Sequence, residues 1–279
     1  MGTSSVVSFS QAGEAVRPSD SIWKDCPGER LNEEGRGIYF HEDFTGGTEV
    51  FADGGPFGGH FQMTLDGDVS TIPHKAGEFD GYQSLVTGAT DNDAVAAYTQ
   101  PAAKIVLNSG NKVWFEARLE FGAVNVDQGA FFGLAEEAAL SRDIIADNVA
   151  DLIGESLLGF ALLTGDQDDI DAVFKLDAGV RTDILADANF SSVLGSGAAR
   201  LVANTERKFG LKFDGRDQIQ IFVDGIKVRS HLIGPANSPD NNAFPDNVNM
   251  AFVLAIKTGG AAARTMTFDW VRGAYEDGR

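Results

Sequence analysis

Two carboxylates two residues apart, Glu78 and Asp80 in GEFDGYQ (77–83), are the first residues here whose spacing could do chemistry. On a strand such a pair faces one side, where carboxylates can move protons at a glycosidic bond or hold a hard cation. A second acidic group, TGDQDDID (164–171), brings Asp166, Asp168, Asp169 and Asp171 close enough in sequence to surround Ca²⁺. It departs from the EF-hand pattern, because Ile170 and Asp171 stand where a ligand and the turn glycine belong. The plainer reading is a solvated turn between GFALL and DAVFKL. His41, His60, His74 and His231 show no ligand spacing. Cys26 is the sole cysteine, so an intrachain disulfide and a cysteine-based zinc site are both excluded, and it reads as an unreactive small side chain. No serine sits in a nucleophile elbow, and there is no GxGxxG or P-loop pattern. No residue is therefore assigned as catalytic or cofactor-binding.

Composition narrows the partners. With 22 Lys plus Arg against 41 Asp plus Glu, the formal net charge of −19 repels phosphate backbones and disfavours nucleic acid. Hydrophobic residues at 43%, with 20 Phe, imply a large apolar core. The opening MGTSSVVSFSQAGEAVR lacks the basic and apolar regions of a secretory signal, and no apolar run approaches the roughly 20 residues of a membrane span. The expectation is folding in a cytoplasm, with no membrane partner.

The elements that must position any site fall into two parts. Residues 1–36 are rich in Ser, Gly and charge and read as an extended arm. Either it is a flexible terminus, or Ile22 and Trp23 anchor it on a neighbouring subunit. Residues 37–279 read as one domain. KVWFEARLEF alternates Val113, Phe115, Ala117 and Leu119 with Lys112, Trp114, Glu116 and Arg118, the period-two pattern of a strand with unlike faces. Trp114 falls on the face opposite Phe115; it could stack a sugar ring, but a place under a loop or at a subunit contact is the plainer reading. In KFGLKFDGRDQIQIFVDGIKV, two alternating runs are punctuated by Asp214-Gly215 and Asp224-Gly225, which suit tight hairpins. One helix is expected, in ALSRDIIADNVADLIG (139–154), with Ser141 as N-cap and Ile145, Val149, Leu152 and Ile153 on one face. Many short strands with turn signals and one inserted helix predict an all-β jelly-roll sandwich.

The ordered set HEDF (41–44), WFEARLEF (114–121), FFGLAEE (131–137), KFGLKFDGRDQIQIFVDG (208–225) and TFDWVRGAY (267–275) resembles the concanavalin A-like lectin/glucanase superfamily, over residues 37–279. With SIWKDCP (21–27) ahead of it, the chain is most similar in pattern to virion proteins of tailed bacteriophages that carry such a laminin-G-like domain. That resemblance implies a capsid decoration or cement protein, a homo-oligomer binding the major capsid protein or other virion subunits on the outside of the head.

The superfamily's sugar-handling motifs meet this sequence only in part. Laminarinase-like glucanases carry E-x-D-x-x-E after the WFEAR-type strand, with the outer glutamates as nucleophile and acid/base. Here Glu78 and Asp80 precede that strand, Gln83 or Tyr82 stands at the acid/base position, and no E-x-D-x-x-E follows Arg118. Legume-type lectins carry E-F-D-x-[FY]-x-N with a later Asp and His. EFDGY matches the opening, but Ser84, Ala89 and Ala94 fill the remaining ligand places. The expectation is a structural virion protein without enzymatic activity, with Ile22, Trp23 and Trp114 at interfaces. The alternatives are a carbohydrate-binding adhesion module, with Ca²⁺ at Asp166, Asp168, Asp169 and Asp171, and then a glycoside hydrolase.

Overall fold

Alternation builds the two sheets, and its two phases decide what each face meets. The structure, a computed structural model, describes residues 17–44, 53–67, 81–99, 105–108, 110–124, 127–137, 144–164, 170–186, 201–236 and 238–278. The first half of the chain forms β1 (Gly37–Glu42), β2 (Pro56–Phe57), β3 (Phe61–Asp66), β4 (Gln83–Val86), β5 (Ala94–Thr99), β6 (Ile105–Val106), β7 (Lys112–Phe121) and β8 (Gln128–Glu136). The second half adds β9 (Leu157–Leu162), β10 (Asp171–Lys175), β11 (Thr182–Leu185), β12 (Arg207–Phe213), β13 (Gln218–Val223), β14 (Ile226–Leu232), β15 (Asn249–Thr258) and β16 (Thr265–Glu276).

These strands pair as two antiparallel sheets. One runs β1-β16-β7-β12-β13-β14 with β4 also on β16; the other runs β11-β10-β9-β8-β15-β5-β3-β2 with β6 also on β15. The two sheets pack into the sandwich that the sequence pattern predicts. Inward-facing Phe115 of β7 stacks on Phe252 of β15 at 5.8 Å, and Phe132 of β8 meets Phe209 of β12 at 5.6 Å. Each such buried ring stabilises the fold by roughly 1.5–3 kcal/mol through water exclusion. Asp224 at φ 50 and Gly225 at φ 78 form the tight hairpin between β13 and β14 expected from the Asp-Gly pair.

The expected helix at 139–154 is corrected. Residues 139–143, with Ser141, lie outside the described residues. Residues 144–153 form a bent hairpin closed by a bridge between Ile145 and Leu152 and by Ile153 N–H donating to Ile144 O at 2.9 Å. Val149 sits at φ +45, outside the right-handed helical region. Asn148 and Asp151 accept hydrogen bonds from the amides of Ala150 and Leu152, which draws the backbone into turns instead. Ile144, Ile145, Val149 and Leu152 still bury together, against Phe131, Leu157, Val173 and Val253 on the outer face of the nine-stranded sheet.

The described part of the N-terminal arm packs on its own sandwich. Two short helices, α1 (Asp20–Trp23) and α2 (Arg30–Glu33), lie over the outer face of the seven-stranded sheet. Ile22, Trp23 and Leu31 form one buried cluster with Trp114, Phe222 and Ala274. Gly210 of β12 is the seat for this contact, since a Cβ there would overlap Ile22 Cδ1. Ile22 and Trp114 are fully buried and Trp23 nearly so, all within one chain. A third helix, α3 (Pro239–Ala243), is capped by Ser238, whose hydroxyl accepts from Asn241 N–H at 3.2 Å.

Candidate functional site

On β7 the outward phase carries Trp114, Glu116, Arg118 and Glu120, an unusual density of charge for the middle of a sheet. Register sets Glu116 between Arg272 of β16 and Gly210 of β12, and Arg118 between Trp270 and Lys208. Glu116 is fully buried and serves the arm: it accepts from Ser19 N–H at 2.8 Å, from Trp23 Nε1–H at 2.8 Å and from the Ser19 hydroxyl. Burial pushes its carboxyl above the usual range, although these bonds pull the other way. Trp23 is sandwiched further, with the Arg272 guanidinium 4.2 Å from its ring centre.

Arg118, one step along the strand, holds a different arrangement. Its two terminal nitrogens donate separately to Asp269 and to Glu206. A register shift between Phe268 and Trp270 marks a bulge at Asp269, which lets this carboxylate reach the guanidinium while Phe268 stays in the core. Tyr82 joins them, 3.4 Å from an Arg118 nitrogen and hydrogen-bonded to Glu206. Gly81 (φ +86) brings Tyr82 in so closely that a Cβ would sit 2.7 Å from Asp43 O. Burial raises the Asp269 carboxyl pKa against the opposing pull of Arg118, and burial with the Glu206 carboxylate raises that of the Tyr82 phenol.

A cleft of about 710 Å³ opens beside Arg118 and Glu206. Its far wall is arm residues 17–21, tied down by Ser21 Oγ donating to Gly225 O at 2.6 Å and by Lys208 Nζ donating to Arg17 O at 3.0 Å. Arg207, paired with Asp224 at 2.9 Å, completes the opposite wall. Donors (Arg118, Arg207, Lys208) and acceptors (Glu206, Asp224) therefore alternate over a concave polar surface, the kind of lining that binds a polyol through paired hydrogen bonds. Asp269 and Tyr82 stand behind Arg118 and Glu206 rather than in the lining itself.

The sequence candidates distribute otherwise. Glu78, Asp80, Asp166, Asp168, Asp169 and His74 lie outside the described residues. Asp171 is buried at the start of β10, 3.3 Å from Arg181, and β9 and β10 do form the expected hairpin. His60 pairs with Glu42 at 2.9 Å and His231 with Asp240 at 3.1 Å. Burial pushes the half-buried Cys26 thiol up. Among the described residues no group of three or more His, Cys, Asp or Glu is arranged for a metal ion. No helix is long and apolar enough to cross a membrane, again among the described residues. Glu206 and Asp269 were missed by sequence reasoning, and Arg118 was read only as a face residue.

No family model and no curated protein matches this chain. Solved structures do. A protein of unknown function from Shewanella oneidensis MR-1 superposes with a TM-score of 0.52 at 14% identity, over 91% of this chain and 95% of that one. The catalytic domain of an endo-1,3-beta-glucanase (laminarinase) from Thermotoga petrophila RKU-1 gives 0.51 at 11% identity, over 87% and 100%. A laminarinase from Flavobacterium sp. UMI-01 gives 0.50 at 12%, over 84% and 98%. At these identities the likeness establishes the fold, a concanavalin A-like jelly-roll sandwich. The expectation of a chain without enzymatic activity is corrected to this extent: the sandwich it folds into is one that two of these neighbours, both laminarinases, use for catalysis. On β8 and β9 the outward positions under the 144–153 hairpin are taken by Phe131, Ala135, Leu157 and Ala161, with no E-x-D-x-x-E sequence on either strand.

Proposed function

We propose that this chain is a carbohydrate-binding domain that takes a glycan in the cleft between arm residues 17–21 and Arg118. The observation that carries this reading is the Arg118 cluster: one guanidinium, two carboxylates and a phenol fixed around each other at the edge of a polar cleft of about 710 Å³. Fixed polar groups of this kind bind hydroxyls without a large ordering cost. The glucanase neighbours make 1,3-β-linked glucans the first class to try. Isothermal titration of the full chain with laminari-oligosaccharides is expected to show binding that Arg118→Ala weakens at least about tenfold, or 1.4 kcal/mol. Equal affinity of the two proteins would overturn this assignment.

A second reading is favoured by the two carboxylates, Asp269 and Glu206, held on the two terminal nitrogens of one guanidinium. Glycoside hydrolysis needs a carboxyl that keeps its proton near a second carboxylate. On that reading Asp269 is the proton donor, so wild-type protein releases reducing ends from a 1,3-β-glucan and Asp269→Asn does not. No release by the wild type would remove it. The phage-head decoration role rests on the sequence resemblance alone, and the anchors it relied on are buried within the chain.

A further inference from the structure

A separate cavity of about 460 Å³ lies at one end of the sandwich, between the loop after β6, the loop joining β12 to β13, and the segment from β14 through α3 to β15. Its polar lining consists of Asn108, Arg216, Asp217, Asn241, Asp246 and Asn247. Among the described residues none of these six side chains makes a hydrogen bond or ion pair, in contrast to the Arg118 cluster, whose groups satisfy one another. Beneath them lie Phe213, Ile233 and Phe244, each almost fully buried in the core.

The loops that carry these side chains are held from behind. Asp214 Oδ1 accepts from the amides of Arg216, Asp217 and Gln218 at 2.9, 3.2 and 3.1 Å. Ser238 caps α3 and also donates to Ile233 O at 3.1 Å, which fixes the approach to Asn241. Asp246 N–H donates to Phe244 O at 2.8 Å, and its backbone bridges to Leu107. Backbone anchoring of this kind leaves the side chains aimed at the cavity with their donors and acceptors unspent.

The chemistry selects the ligand. Two carboxylates against one guanidinium make the lining net negative by one, which rejects anions. Three carboxamides, each both donor and acceptor, match hydroxyl groups that also do both. We infer that this cavity is a carbohydrate subsite distinct from the Arg118 cleft, taking a single neutral pyranose. It does not depend on the reading of the Arg118 cleft.

The test is a titration of the uniformly ¹⁵N-labelled full chain with methyl β-D-glucopyranoside at roughly 10–100 mM, the range suited to a millimolar site. The side-chain NH₂ signals of Asn108 and Asn241 are expected to shift together with saturation. Those shifts persist in Arg118→Ala and are lost from Asn108 in Asn241→Leu, with spectral dispersion elsewhere unchanged. Should Asn241→Leu disturb the fold, Asn247→Leu serves instead, with the same expected loss. Unmoved carboxamide signals in the wild type, or shifts abolished by Arg118→Ala, would overturn the inference.

Discussion

On the seven-stranded sheet, residues 17–36 lie over a surface whose centre is a carboxylate, Glu116. On the nine-stranded sheet, residues 144–153 lie over a surface whose centre is hydrocarbon, Phe131 with Val173 and Val253. Charges there keep to the margins: Lys257 reaches Asp147 at 2.8 Å, and Lys175 donates to the carbonyls of Leu152 and Ile153 at 2.9 and 3.0 Å. Both covers exclude water, but by different means. The hairpin is held mainly by area and shape, which do not depend on any group's protonation. The arm is held in part by donors converging on one buried acceptor, so its docking answers to the protonation of that acceptor. The difference also explains where the cleft is. A cover pinned by polar bonds leaves polar side chains at its edge, and Arg118 with Glu206 stands there.

The comparison can be broken most strongly at its hydrocarbon side. Phe131→Ala empties the seat beneath the hairpin and is expected to cost about 3–5 kcal/mol in urea-induced unfolding, as large-to-small changes in closed cores do. A loss under about 1 kcal/mol would mean that the hairpin is not sealed by area.

A smaller effect sharpens the polar side. Glu116→Gln keeps one accepting oxygen but turns an NH₂ group toward donors, with an expected loss of roughly 1–2 kcal/mol at neutral pH. Its sign with pH is fixed by the raised pKa of Glu116. A carboxyl whose folded pKa is raised contributes stability that is complete below its unfolded value, near 4, and is lost as pH rises through the folded value. The wild type should therefore gain on the Gln variant as pH falls through the raised folded value toward the unfolded one, measured by paired urea titrations. A constant gap would place the shift elsewhere.

Much of this architecture is legible in the sequence. Alternation in KVWFEARLEF and KFGLKFDGRDQIQIFVDG sets which side chains enter the core, and Asp224-Gly225 sets a turn. These signals survive because each depends on neighbours in the chain. The 139–154 segment shows the limit: apolar residues at 145, 149 and 152 bury in a helix or in a bent hairpin alike, and spacing cannot register the φ of Val149. The arm shows a second limit. Ile22, Trp23 and Trp114 are apolar residues that need cover, but composition does not say whether the cover is the same chain or another. The Arg118 cluster was least legible. Tyr82, Glu206 and Asp269 stand 36, 88 and 151 positions from Arg118, and only the sheet register and the bulge in β16 bring them together. The GEFDGYQ stretch drew notice through Glu78 and Asp80, whereas the residues it delivers to the cluster are Gly81 and Tyr82.

The most direct measurement is a crystal structure of the full chain soaked with a laminari-oligosaccharide. A sugar ring is expected in the cleft of residues 17–21, with its hydroxyls within hydrogen-bond distance of Arg118 and Glu206. That cleft left empty at saturating oligosaccharide, whether or not sugar binds elsewhere, would contradict the assignment.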